Sequence, residues 1–245
     1  MDKKEYEYIG CGTFSKVYKI QYKNKRYALK QISLLKFNQN ERKEFENEAK
    51  ILSILDNEYI VKYYDSFYKD NIFNIIMEYA GNSNLKNFIK KHGGSGLFIE
   101  QETANNIVKQ ICLGLKEIHR CNIIHRDLKP ENIFIDENNF KIKIGGFDIS
   151  IISEYADSHE GTFAYMAPEI CVGKKYNNKV DIFALGCIIY ELFTLNKYYF
   201  DKNYGEIKKV DLDIYDPKWQ KLIDLLLDIK PDNRPNIDEV FQYLD

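Results

Sequence analysis

The run His125-Arg126-Asp127-Leu128-Lys129-Pro130-Glu131-Asn132 sets a carboxylate, an ammonium and an amide close together, an unbroken match to H-R-D-L-x-x-x-N that chance does not explain. Upstream, Gly10-Cys11-Gly12-Thr13-Phe14-Ser15-Lys16-Val17 follows G-x-G-x-x-G-x-V, with Ser15 in place of the third glycine. Two glycines between strands let backbone N–H groups close over phosphates, although alone the segment reads as a glycine-containing hairpin. Lys30 ends the apolar stretch Tyr27-Ala28-Leu29, where a buried ammonium requires an anionic partner. Glu48 on the next helical segment can face it. Glu44 and Glu46 are rivals, Glu46 pointing about 160° from Glu48 on a helical wheel, and a solvated helix charge is the alternative for Glu48.

These residues need elements to hold them. Residues 5–33 alternate apolar and polar positions around Gly10, Gly12 and the Lys-Asn-Lys turn at 23–25, which predicts a three-strand antiparallel meander. Helical spacing follows over 41–55, then strands over 60–68 and 72–79. After Gly81 the periodicity is helical, over 84–91, 104–118, 180–195 and 219–227, and Gly93-Gly94-Ser95-Gly96 reads as a mobile connection between helices. A small β-rich lobe followed by a larger helical lobe puts a ligand cleft between them.

The 245 residues carry 35 basic and 37 acidic side chains, a balance that argues against a nucleic-acid partner. A 44% hydrophobic and 14% aromatic content supplies a core for a soluble, folded chain. The longest apolar stretch, near 182–190, falls short of the ~20 residues of a membrane span. Five scattered cysteines, with no Cys-x-x-Cys, read as reduced thiols of an intracellular protein, cytoplasmic or nuclear. Only five of the basic residues are arginine, which suggests that some serve planar, bidentate geometry that lysine cannot supply.

With Ala167-Pro168-Glu169, Asp181 and Arg234 in matching order, the chain resembles the eukaryotic protein kinase family over essentially its whole length. The resemblance implies an α+β bilobal fold, with an N-lobe over 1–80 and a C-lobe over 81–245, that uses ATP and Mg²⁺ on a protein hydroxyl. It implies that Asp127 accepts the hydroxyl proton, Lys129 steadies the γ-phosphate, Asn132 binds a metal, and Lys30, paired with Glu48, holds the α/β-phosphates. Gly10, Gly12 and Ser15 would cover the phosphates, Met77 would be the gatekeeper, and Glu78 and Ala80 would give main-chain hydrogen bonds to adenine. Val17, Ala28 and Phe134 would sandwich the ring, with ordinary core packing an equally good reading. The family's spacing favours Glu48 over its rivals, gives His125 a structural role and pairs Arg234 with Glu169. Lys129 and Thr162 follow the serine/threonine pattern, and residues 63–67, 110–116 and 176–187 look most like NIMA-related kinases. Ser158, four residues before Thr162 and flanked by Asp157 and Glu160, is the expected activating phosphosite, with Arg126 to receive its phosphate; an exposed loop serine is the alternative.

One departure stands out. Where the family has Asp-Phe-Gly, this chain reads Gly146-Phe147-Asp148. In an extended strand Asp148 would share a face with position 146 but lie roughly 6.6 Å further along, so that it replaces the metal-binding carboxylate only if the backbone shifts, a shift that glycine at 146 could permit. Two readings follow: an impaired serine/threonine kinase, and a pseudokinase scaffold that binds nucleotide poorly or without metal. A small-molecule phosphotransferase is a third. Reversing the triplet by Gly146→Asp with Asp148→Gly is expected to raise kcat by at least ~10-fold.

Overall fold

A computed structural model describes residues 6–12, 15–35, 37–95, 98–153, 156, 161–196 and 215–244. The N-terminal half of the cleft is built on strands β1 (Glu7–Cys11), β2 (Ser15–Tyr22), β3 (Lys25–Ser33), β4 (Tyr63–Lys69) and β5 (Ile72–Glu78) and on helix α1 (Gln39–Ile54). The strands form one antiparallel sheet in the order β1-β2-β3-β5-β4. Two two-residue turns shape it. Lys23 and Asn24 (φ 46° and 61°) join β2 to β3, and Asp70 and Asn71 (φ 51° and 59°) join β4 to β5. Paired left-handed residues give a turn whose twist matches that of the flanking strands, and asparagine tolerates that conformation well. In the resulting register Lys30 lies between Val17 of β2 and Ile75 of β5.

The C-terminal lobe contains helices α2 (Leu85–Ser95), α3 (Gln101–Arg120), α4 (Pro168–Cys171), α5 (Lys179–Thr194), α6 (Lys218–Leu226) and α7 (Ile237–Val240), with short strands β6 (Ile123–Ile124), β7 (Ile133–Asp136), β8 (Lys141–Ile144) and β9 (Ile151–Ile152). Helix α3 buries the stripe Ala104, Ile107, Val108, Ile111, Leu115 and Ile118. Each large aliphatic side chain there contributes about 1.5–3 kcal/mol. Helix α5 is buried at every position from Val180 to Phe193, as expected of a helix apolar all round. Among the described residues no helix is long and apolar enough to cross a membrane.

Two local expectations are corrected. Helix α2 runs through Gly93 and Gly94 to Ser95 rather than stopping before them. Gly93 packs beside Leu195, and the Ser95 hydroxyl donates to the His92 carbonyl at 2.7 Å, so tertiary contact and a side-chain bond support a turn that glycine propensity disfavours. Strand β4 begins at Tyr63 because residues 59–61 pair with β8 instead: Val61 donates to the Ile144 carbonyl at 2.9 Å, and Ile144 donates to the Tyr59 carbonyl at 2.8 Å. The same bonds tie the two lobes together, helped by the Lys143–Glu78 ion pair at 2.8 Å.

Candidate active site

The paired strands β6 and β9 and the hairpin β7–β8 frame two loops, residues 125–132 and 145–150. The first hangs from Asp181 of helix α5. The Asp181 carboxylate accepts the backbone N–H of His125 and of Arg126, each at 2.9 Å, and Nε2–H of His119 at 2.9 Å. Burial alone would push the Asp181 carboxyl up, but the bonds from His119 and the backbone hold it below its ordinary value, as an anion. His125 is fully buried and donates Nε2–H to the Gly145 carbonyl at 3.0 Å, while its Nδ1 accepts from the Asp127 N–H at 3.3 Å. Those two bonds describe a neutral ring, and burial lowers its pKa accordingly. His125 thus joins the two loops.

Asp127 is surrounded by donors. Its Oδ1 accepts the Thr162 hydroxyl at 2.6 Å and the Thr162 N–H at 3.1 Å, while its Oδ2 accepts Lys129 Nζ at 2.7 Å and Asn132 Nδ2 at 3.0 Å. Lys129 also donates to the Thr162 hydroxyl at 2.6 Å, and Asn132 to the Asp127 carbonyl at 2.7 Å. The place of Thr162 in this cluster was not read from the sequence, where it served only as a mark of substrate class; the 35 residues separating it from Asp127 hide the contact.

Across the cleft, Lys30 donates to both oxygens of Glu48, at 2.8 and 2.7 Å, with both side chains buried, and it also contacts Asp148. Glu46 is instead bonded by the Tyr68 hydroxyl. The cluster holds two carboxylates for one ammonium. Burial pushes the Glu48 carboxyl up to about 7, the attraction of Lys30 only partly offsetting it and Asp148 adding to it. Burial alone would lower the Lys30 pKa, but its two anionic neighbours raise it. Because the Glu48 carboxyl is a weaker acid in the folded chain than its ordinary 4.5, its contribution to stability is full below about 4.5 and is lost as pH rises through about 7. The stability of the parent minus that of Glu48→Gln is therefore expected to fall between pH 5 and pH 7.5. Urea midpoints at several pH values check this, and a difference that rises with pH would contradict it.

Gly146 adopts φ +80°, so the chain turns there instead of continuing β8 as an extended strand. That turn brings the Asp148 carboxylate back to Lys30, while Phe147 stays buried against the His125 ring at 4.8 Å between centroids. The expected offset of Asp148 along a strand therefore does not apply. A Cβ at position 146 would lie 2.3 Å from Asn132 Cγ and 2.4 Å from its Nδ2. Gly146→Ala is expected to cost about 2–4 kcal/mol, from the left-handed backbone and from overpacking, and to lower Tm by roughly 5–15 °C. A thermal melt checks this. Reversal of the triplet has to displace the Asn132 amide first, which opposes the gain in kcat expected from sequence.

The other residues expected at the site lie on the sheet and on the strands and loops next to it. Ala28 is buried and faces Met77 across the β3–β5 register. Val17, Met77, Glu78, Ala80 and Phe134 are half-buried. The Glu78 N–H donates to the Lys62 carbonyl at 2.7 Å. Gly12 N–H donates to the Ser15 carbonyl at 3.0 Å, closing the loop after β1, and Gly10 has open space around its Cα. Arg126 donates Nε–H to the Ile149 carbonyl. Asp157, Ser158 and Glu160 lie outside the described residues. Asn132 and Asp148 are hard oxygen donors of the kind magnesium accepts, and magnesium takes one or two protein ligands beside substrate phosphates, so the donor set suits that ion.

A buried lysine–carboxylate pair near a glycine loop, together with an aspartate held by lysine, asparagine and threonine, is compatible with the chemistry of phosphoryl transfer. The protein kinase domain family matches residues 4–244, and the chain belongs to it. Among its relatives are serine/threonine-protein kinase Nek8 of Danio rerio, 35% identical over 227 residues (88% of this chain, 32% of that protein), and probable serine/threonine-protein kinase nek2 of Dictyostelium discoideum, 34% identical over 260 residues (98% and 62%). Serine/threonine-protein kinase Nek5 of Mus musculus is 34% identical over 244 residues (94% and 38%). These relatives agree with the NIMA-related resemblance. The chain spans between about a third and three-fifths of their length.

Proposed function

We propose that this chain is an ATP-dependent serine/threonine protein kinase domain that transfers the γ-phosphoryl group to hydroxyls of an intracellular protein substrate. The observation that carries this reading is the ring of hydrogen bonds that Lys129, Asn132 and Thr162 make to Asp127, in a chain that also keeps the buried Lys30–Glu48 pair. The substrate hydroxyl oxygen attacks the γ-phosphorus, the bond to the β–γ bridging oxygen breaks, and Asp127 takes the hydroxyl proton. Thr162 and Lys129 fix the orientation of the carboxylate, and Lys129 reaches the transferred group. Lys30, held by Glu48, meets the α/β-phosphates under Gly10, Gly12 and Ser15. Val17, Ala28, Phe134 and Met77 enclose the adenine, to which Glu78 offers its carbonyl and Ala80 its backbone. A magnesium ion held by Asn132, Asp148 and the phosphates would neutralise the charge that develops during transfer.

A second reading, a kinase-fold scaffold, is favoured by the packing of the Asn132 amide against Gly146, where the family places a metal-binding carboxylate. One experiment separates the two: transfer of radiolabelled γ-phosphate to a generic acceptor protein by the purified chain, with Asp127→Asn as blank. Transfer above the blank supports the kinase. Nucleotide-induced stabilisation in a thermal melt without any transfer supports the scaffold.

A further inference from the structure

The five-stranded sheet has a second face that the candidate site does not use. Lys30 points toward α1, where it meets Glu48, and its cross-strand neighbours Val17 and Ile75 share that side. The adjacent row, Tyr8, Tyr18, Leu29 and Ile76, crosses β1, β2, β3 and β5 on the opposite face, and Tyr27, two residues before Leu29, lies on the same side. Tyrosine dominates this face. The Tyr6 and Tyr8 rings each lie 5.9 Å from the Tyr18 ring, and Tyr64 meets Tyr27 edge to face at 5.1 Å. Tyr6, Tyr8 and Tyr64 stay 55%, 56% and 48% exposed. An aromatic side chain covers about 150–250 Å², so these three alone leave roughly 300 Å² to solvent, the size at which an exposed patch on a single chain is often functional. Beside it the β2–β3 hairpin is basic. Residues 16–27 carry five cations, Lys16, Lys19, Lys23, Lys25 and Arg26, and no carboxylate, in a chain whose charges otherwise nearly balance. Lys19 pairs with Glu7, whereas the other four make no ion pair among the described residues.

We propose that the tyrosine face and the basic hairpin together form a docking surface for an acidic, extended segment of another protein, its apolar side chains on the tyrosines and its carboxylates on Lys16, Lys23, Lys25 and Arg26. Tyrosine supplies large contact area at small entropic cost, and its hydroxyl donates to carboxylates and carbonyls. Nucleic acid fits less well. Base stacking needs free ring faces, and in the Tyr8–Tyr18 and Tyr27–Tyr64 pairs, at interplanar angles of 73° and 80°, the edge of one ring covers the face of the other. An anionic membrane laid flat on the sheet meets the exposed Asp65 carboxylate, which faces Ile76 across the β4–β5 register, whereas a single peptide strand runs from the tyrosines to the hairpin and avoids it. The surface lies on the other side of the sheet from Lys30, so the proposal is independent of the nucleotide reading and its occupant leaves Lys30 and Glu48 untouched.

Fluorescence anisotropy of the full 245-residue chain with a labelled peptide, leucine-rich in one half and glutamate-rich in the other, tests this. The parent is expected to bind the peptide, less tightly as salt rises, and to bind its glutamine-for-glutamate counterpart at least ~10-fold more weakly. Lys23→Glu with Arg26→Glu is expected to weaken the peptide by at least ~10-fold, and Tyr8→Ser with Tyr64→Ser severalfold. All four side chains are exposed, and thermal melts check the fold; if the tyrosine variant is unfolded, the hairpin variant decides. Reversal of two exposed lysines elsewhere, Lys221→Glu with Lys230→Glu, is expected to leave binding unchanged. No binding by the parent, or an equal loss in the Lys221 and Lys230 variant, overturns the surface, and equal affinity of the parent and the folded tyrosine variant overturns the part given to the tyrosine face. Tighter binding of polyuridylate or of phosphatidylserine vesicles than of the peptide overturns the assignment of a protein partner.

Discussion

Replacement of Asp127 by asparagine is expected to lower phosphoryl transfer by ~10²–10⁴, the usual contribution of a positioned general base. The change is nearly isosteric, but the new amide turns its NH2 toward two of the four donors from Thr162, Lys129 and Asn132, so a melt of the unliganded variant is the control for the fold. What is lost is the capacity to take a proton, together with the charge that orients Lys129. In the proposed reading nucleotide is held from the other side of the cleft, at Lys30 and residues 77–80, so stabilisation by ATP in a thermal melt is expected to match that of the parent. The pair of measurements, initial rate and ATP-induced shift, separates a catalytic loss from a folding loss. A rate within a few-fold of the parent would show that Asp127 is not the base.

Arg234→Ala is expected to be the most destabilising single change among those considered, at about 3–5 kcal/mol, or roughly 6–20 °C in Tm. Arg234 is 1% exposed and grips Glu169 in a two-pronged pair at 2.7 and 2.9 Å. Its Nε donates to the Asp228 carbonyl at 2.7 Å, its Nη1 to the Lys179 carbonyl at 3.0 Å, and its guanidinium stacks 4.9 Å from the Phe183 ring centroid. Removal of the cation leaves the buried Glu169 carboxylate and the carbonyls of Asp228, Lys179 and Ile229 without their donor, and the uncompensated buried carboxylate is the main source of the cost. Lysine offers a point charge in place of the planar fork, so Arg234→Lys is expected to recover only a small part of the loss. Thermal melts of both variants decide it. A shift of less than about 2 °C for Arg234→Ala would mean that the pair contributes little beyond its solvation cost.

How far the sequence reaches is clear from particular residues. Strand alternation and helical periodicity place the elements of both lobes, because they record which faces are buried. Linear motifs bring Lys30, Glu48, Asp127, Lys129 and Asn132 into view since each lies in a short contiguous pattern. Contacts between distant segments leave no such trace unless a family pattern records them, as it does for Arg234 and Glu169. The bond between Asp127 and Thr162, the bond between His119 and Asp181, and the continuation of α2 through Gly93 beside Leu195 all depend on packing between elements. Asp148 is the sharpest case. A strand rule puts its carboxylate out of reach, and a single backbone angle at Gly146 brings it to Lys30.

The two amides that Asp181 accepts have a consequence for how the site opens. His125 and Arg126 lie in a loop, where backbone N–H groups ordinarily exchange with solvent within local fluctuations. Here their acceptor belongs to a helix buried from Val180 to Phe193, so exposing those protons means detaching the loop from α5. In amide hydrogen exchange the 125–126 protons are therefore expected to group with the slowest unit of the C-terminal lobe, whereas the half-exposed Asp148 side chain, bonded to Lys30, has no such tether to α5. Asp127, the residue that follows these two amides, is thereby hung from a helix buried from Val180 to Phe193.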